Sequence, residues 1–140
     1  MKNIKIYIES VVEEIDDAGL TESSDKTESE AMGLIEESDN KTKISYSVTE
    51  DGVTTNTLIT VTEKEITVRR DGGVEYEFVF IEGEKTKSLY CVPPYSFDTE
   101  IYTKKIRNSL TEGGEISLFY DMTIGGAKKR TRMKIKVSEK

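Results

Sequence analysis

The 140-residue sequence contains no histidine, no tryptophan, one cysteine and two prolines. Without histidine, zinc sites of the usual Cys/His kind and Ser-His or Cys-His nucleophilic catalysis are excluded by inventory, because no imidazole is present to ligate a metal or take a proton near neutral pH. The chain is therefore expected not to be a hydrolytic or metal-dependent enzyme, and to need no cofactor or metal. The lone Cys91 permits no internal disulfide and sits between Tyr90 and Val92 in a strand-like pattern, where a buried structural thiol is the plain reading. The first residues, MKNIKIYIESVV, lack the apolar core and cleavage site of a secretory signal, and no apolar run approaches the ~18 residues of a membrane span. A cytoplasmic protein with no membrane partner is expected, in which Asn40-Lys41-Thr42 matches a glycosylation acceptor in form only.

Positive charge is outnumbered, with 20 Lys and Arg against 27 Asp and Glu. The formal net charge is −7 with a pI near 4.8, which argues against generic affinity for nucleic acid. The charge is uneven, however. Acidic residues crowd the stretch from Glu9 to Asp39, with Lys26 the one cation against Glu13, Glu14, Asp16, Asp17 and their successors, whereas the last strand carries Lys128, Arg130, Arg132, Lys134 and Lys136. Solvated faces explain both patches, and the acidic pairs lack the oxygen spacing of a calcium loop.

What the chain does have is a period of two. In Gly113 to Val137, Ile116, Leu118, Tyr120, Met122 and Ile124 share one face, Gly125-Gly126 turns the chain, and Met133, Ile135 and Val137 return opposite the cations. A glycine pair explains that turn, and it lacks the spacing of a phosphate-binding loop. Ile4, Ile6, Ile8, Ser10 and Val12 predict a half-buried first strand. Glu13 to Asp25 reads as a mobile loop with a short helix about Val12 to Ala18, and Glu28 to Glu37 as a second strand, with Gly33 marking a bulge or a close backbone approach. Asp51-Gly52, Asp71-Gly72-Gly73 and Glu82-Gly83 then punctuate a meander of short strands. Pro93-Pro94 predicts a break or an edge before Tyr95 to Ile106 resumes. The whole of 1–140 is expected to be a single all-β domain, a mostly antiparallel barrel of roughly eight strands, because such closely spaced turns leave no room for the long crossings of a Greek key.

Arg70 follows Ile66 and Val68 at spacing two, so it continues an apolar face and is expected to point inward. A buried guanidinium needs a partner: either a carboxylate such as Asp121, or an anionic group of a ligand. An eight-stranded barrel sits at the size where the lumen is filled by side chains or just admits one small molecule. With few large aromatics in the strands, a site for a small apolar or amphiphilic ligand is expected in the interior, with Arg70, Leu118, Tyr120 and Met122 as its residues. The competing reading is an interaction module whose basic last strand binds an acidic protein or a nucleic acid; the sequence shows no aromatics interleaved with those cations.

Several segments taken in order resemble the YwiB-like family of small bacterial proteins of unknown function. They are ITVRRDGG, with Arg70 and Gly72 at the family's Arg-x-Gly, FVFIEG before a tyrosine-bearing strand, Pro94-Tyr95, Thr103 with Ile106, and GEISLFYDM. The resemblance runs from about Tyr46 to the end of the chain, and departs at Pro93-Pro94-Tyr95-Ser96 and at Arg132. It implies a lipocalin-like (calycin) β-barrel with an interior able to hold a ligand, and it implies no particular reaction.

Overall fold

Alternating side chains make ten strands and hardly any helix. The computed structural model describes residues 2–139: β1 (Lys2–Ile15), β2 (Thr21–Ser38), β3 (Lys41–Glu50), β4 (Val53–Thr62), β5 (Ile66–Asp71), β6 (Tyr76–Phe80), β7 (Lys85–Val92), β8 (Tyr95–Ser109), β9 (Glu115–Ile124) and β10 (Ala127–Glu139), with one turn of helix, α1 (Leu110–Gly113), before β9. All pairings are antiparallel, in the order β6-β5-β4-β3-β2-β1-β10-β9-β8-β7. Every ladder joins consecutive strands except the one where β1 meets β10, with Ile4 opposite Glu139 and Ile15 opposite Lys128. The barrel thus has ten strands rather than the roughly eight expected.

Closure is nearly complete. Between β6 and β7 the ladder reduces to one bridge, where Glu75 and Cys91 exchange backbone hydrogen bonds of 2.9 and 2.8 Å. Beside it the Thr86 hydroxyl donates to the Val79 carbonyl at 2.6 Å, and the turn after β6 is tied to β8 by Gly83 N–H to the Thr103 carbonyl at 2.8 Å. The rings of Tyr76, Phe78 and Tyr90 stack along the same slit, with centroids 3.9 Å apart for the first pair and 5.5 Å for Tyr76 and Tyr90. Side-chain packing therefore holds where backbone pairing stops.

Inward positions form one continuous core. Ile4, Ile6, Ile44, Ile59, Ile66, Phe80, Ile101, Ile116 and Ile135 are all fully or almost fully buried, and each contributes roughly 1.5–3 kcal/mol to the drive to fold. Two local expectations change. The stretch from Glu13 to Asp25 is no mobile loop and holds no helix: β1 and β2 make a long hairpin whose turn is fixed by Asp16, whose carboxylate accepts from the amides of Ala18 and Leu20 at 2.9 Å each. The prolines do not break the sheet; they follow β7, the strand at its edge. They fill the two-residue turn between β7 and β8, where Val92 pairs with Tyr95 and no ladder amide is needed. At Gly33 the close approach is real and the bulge is not, since β2 keeps its register there against both β1 and β3.

Candidate functional site

One end of the barrel collects the turns 16–20, 51–52, 72–75, 93–94 and 125–126. On the β2 to β5 side this end is open, because β3 pairs with β2 only through Gly33 to Ser38, and the upper parts of the two strands part company. Tyr46, Val48 and Glu50 of β3, Thr55 and Thr57 of β4 and Arg70 of β5 all face inward there, since each continues the parity of a buried residue lower on its strand, Ile44, Ile59 or Val68. With Ser29, Asp51, Val53 and Val74 they line a cleft of about 450 Å³.

Arg70 is the cleft's one cation and it is half-buried. None of the ion pairs among the described residues includes it. Its Nη2 donates to the Tyr46 hydroxyl over a long 3.4 Å, its guanidinium lies 5.7 Å from the Tyr76 ring centroid, and its buried Nε has no hydrogen-bond partner. Burial opposes the charge, while the phenolic oxygens of Tyr76 and Tyr46 favour it, and the balance raises the pKa. The guanidinium is therefore a fixed cation among neutral oxygens, short of acceptors.

Asp121, the structural partner considered for Arg70, lies elsewhere. It alternates with Tyr120 and Met122 on β9, so it faces out, 3.3 Å from the ammonium of Lys104 and 3.5 Å from Arg130 Nε. Lys104 is the extra residue of a bulge in β8, which aims it at that carboxylate. Leu118 and Tyr120, expected at a ligand site, are packed in the core at 2% and 4% exposure, and Met122 lies against it at partial burial. The Tyr120 ring meets Phe80 at 4.7 Å between centroids. None of the three lines the cleft, so the middle of the lumen is filled and only Arg70 of the four reaches open space. Sequence reasoning missed Tyr46 and Tyr76; Tyr76 of β6 stands directly opposite Arg70, and Tyr46 of β3 stands opposite Thr57, itself opposite Arg70, a signal visible only once the register is known.

A larger trough of about 730 Å³ crosses the outer face between Met32, Leu34, Asn56, Leu58 and Asp71. Three of its polar groups are tied to one another, the Ser47 hydroxyl donating to Asn56 Oδ1 at 2.6 Å and Asn56 Nδ2 to Asp71 Oδ1 at 3.0 Å, and its cation, Arg69, is exposed to solvent rather than buried. The basic face of β10 is likewise partly engaged, with Arg130 on Asp121 and Arg132 at 3.5 Å from Glu13. Contrary to the sequence reading, aromatics do neighbour those cations: Phe119 lies between Lys104 at 5.0 Å and Arg132 at 4.7 Å, and Tyr7 beside Lys136 at 5.8 Å. Those cations occupy the ring faces that a base would stack on. Among the described residues, no cluster of carboxylates and thiols has the geometry to hold a metal, and no helix is long and apolar enough to cross a membrane.

The buried phenols give a pH test of this arrangement. Burial pushes Tyr76 up to about 12, against the pull of Arg70, and raises Tyr120 further. Each is an acid that the folded state keeps protonated, so between pH 10 and pH 12 the unfolded chain binds fewer protons than the native one and stability falls as pH rises. Urea unfolding is expected to show this contribution intact below pH 10 and declining above it, by on the order of 2–3 kcal/mol for Tyr76. Tyr76→Phe should lose less over that range; equal losses in the two proteins would contradict the assignment.

The family described as "Domain of unknown function (DUF1934)" matches residues 8–136. Over 123 residues the chain is 30% identical to the uncharacterized beta-barrel protein YwiB of Bacillus subtilis (strain 168), spanning 87% of this chain and 82% of that protein. The fold superimposes on the crystal structure of the ywiB protein from Bacillus subtilis with a TM-score of 0.84 at 27% identity, covering 99% of this chain and 92% of the other.

Proposed function

The chain belongs to the DUF1934 family of β-barrel proteins, and on that footing we propose that it is a non-enzymatic cytoplasmic binder of a small amphiphilic monocarboxylate, held at the open end of the barrel with its charged head on Arg70. The observation that carries this reading is the Arg70 guanidinium itself: inward, half-buried, and without a carboxylate partner. A buried charge of this kind is costly unless something pairs with it, and a carboxylate takes a guanidinium fork in a bidentate way. One cation among neutral phenols suits one negative charge. Glu50 and Asp51 at the rim repel a second, which disfavours phosphates. The cleft volume falls within the range usual for small-molecule sites, and Val48, Val53 and Val74 supply apolar wall for a short hydrocarbon tail. This retains the ligand-holding logic of a lipocalin-like barrel while moving the ligand from the filled centre to the mouth. The alternative, an acidic partner or nucleic acid on β10, has less support because its arginines are already occupied.

Thermal-shift titration and calorimetry with medium-chain fatty acids and the matching alcohols test the proposal. Acids are expected to raise the melting temperature in a concentration-dependent way and alcohols hardly at all. Arg70→Met should weaken acid binding by roughly tenfold or more, the usual weight of a charge-assisted pair, while leaving the unliganded protein as stable as before or more so, because an unpaired buried charge is gone. Acids and alcohols binding alike, or undiminished binding by Arg70→Met, would refute it.

A further inference from the structure

The upper part of β2, from Thr21 to Met32, pairs with β1 along its whole length and with nothing on its other side among the described residues, because β3 reaches only from Gly33 downward. Every side chain from Thr21 to Glu30 is exposed, including those with inward parity, so the segment projects as a free ribbon edge. At about 3.3 Å per residue it offers close to 40 Å of unpaired backbone amides and carbonyls. Natural edges this long are commonly blunted by charged side chains, a proline, a bulge or a covering loop, and of these only charge is used along Ser23 to Met32. This one holds its register without interruption from Ser23 to Ile35, contains no proline, and meets a bulge only at its far tip beside Ile15.

We propose that the Thr21 to Met32 edge is a docking surface for an extended, lysine- or arginine-rich segment of another protein, which joins the sheet as an added strand. Backbone pairing supplies the affinity of such additions, and the side chains choose the partner. The edge carries Glu22, Asp25, Glu28 and Glu30 against the single Lys26, and that lysine is already held by Glu9 at 3.1 Å and Glu28 at 3.3 Å. A second copy of this chain would bring the same carboxylates against these, and like charges facing across a ladder are unfavourable, whereas a basic strand sets lysine against glutamate along the edge. The charge pattern thus selects a partner unlike the chain itself. The edge borders the open side of the mouth, where its Ser29 lines the Arg70 cleft, so the readout that separates the two inferences is protection of the Thr21 to Met32 amides, which a carboxylate held on Arg70 does not require.

The test uses the full chain and a synthetic peptide of alternating lysine with threonine and valine, free to extend. Amide hydrogen exchange followed with and without peptide is expected to slow in Thr21 to Met32 and to stay unchanged across β4, β5 and β9. The same peptide with proline at alternate positions, equal in charge but unable to donate, is expected to bind at least tenfold more weakly, as is the native peptide to the Glu28→Lys/Glu30→Lys protein, whose substitutions lie on exposed positions. Three results would overturn the proposal: salt-sensitive binding with no new protection on this edge, equal binding of the proline peptide, or protection of the edge by self-association in the absence of peptide.

Discussion

Phe80→Ala is expected to destabilise the protein by about 3–5 kcal/mol, the range for emptying a large aromatic site in a core, and to lower the thermal midpoint by roughly 10–15 °C for a chain of this size. Phe80 is 1% exposed at the end of β6, and its ring packs at 4.7 Å and 55° against Tyr120 of β9. Its strand is hydrogen-bonded to β5 but has almost no ladder toward β7. In most of the barrel a truncated side chain would leave both neighbouring ladders to hold its strand; here packing carries one side alone. The cost should therefore fall at the upper end of the range, with faster amide exchange in β6 and β7 before any other strand. Phe80→Leu should recover more than half of the loss. Equilibrium urea unfolding measures both, and a loss below about 1 kcal/mol would mean that the seam is held by something other than this ring.

Gly33→Val is expected to cost about 3 kcal/mol or more, and Gly33→Ala about 2 kcal/mol, the scale of inserting atoms where none fit. A side chain at Gly33 would run into the backbone carbonyl of Ser45, and would also lie 2.8 Å from the Ile6 terminal methyl and 3.1 Å from Tyr46 Cβ. The methyl can swing aside; the carbonyl belongs to the β2 and β3 pairing and cannot. The penalty should accordingly persist in Gly33→Ala/Ile6→Val, which relieves only the flexible contact. Chemical denaturation of the three proteins decides the matter, and full rescue by Ile6→Val would show that the carbonyl moves freely.

Legibility followed parity. The closing hairpin and the Asp51-Gly52 turn could be read directly, because Ile116, Leu118 and Tyr120 alternate with polar residues and both Asp51 and Gly52 adopt the positive φ that such a turn requires. Inward-facing Arg70 was also readable from Ile66 and Val68. Asp121 was misassigned against evidence already in the chain, since it is out of phase with Tyr120. The first part of β2, Thr21 to Thr27, was not legible: with both faces in water there is no alternation to see, and its strand character comes from pairing with β1. Whether Leu118 and Tyr120 touch a ligand or one another depends on how strongly the closed sheet draws its walls together, which the order of residues does not encode locally.

The place of the slit bears on how the chain finds its fold. Every ladder but one joins strands adjacent in sequence, and the exception fastens the two ends of the polypeptide to each other, down to a Lys2 to Glu139 ion pair of 3.2 Å. Folding must therefore close a loop of nearly the whole chain to form one of its longest pairings, while the almost unpaired seam lies inside a short turn at Glu82 and Gly83. A circular permutant, its old ends joined and its new ends opened at Gly83, would keep every ladder yet turn that most distant pairing into an ordinary hairpin. Contact order would fall sharply, and with it the entropic barrier that limits the rate at which barrels fold.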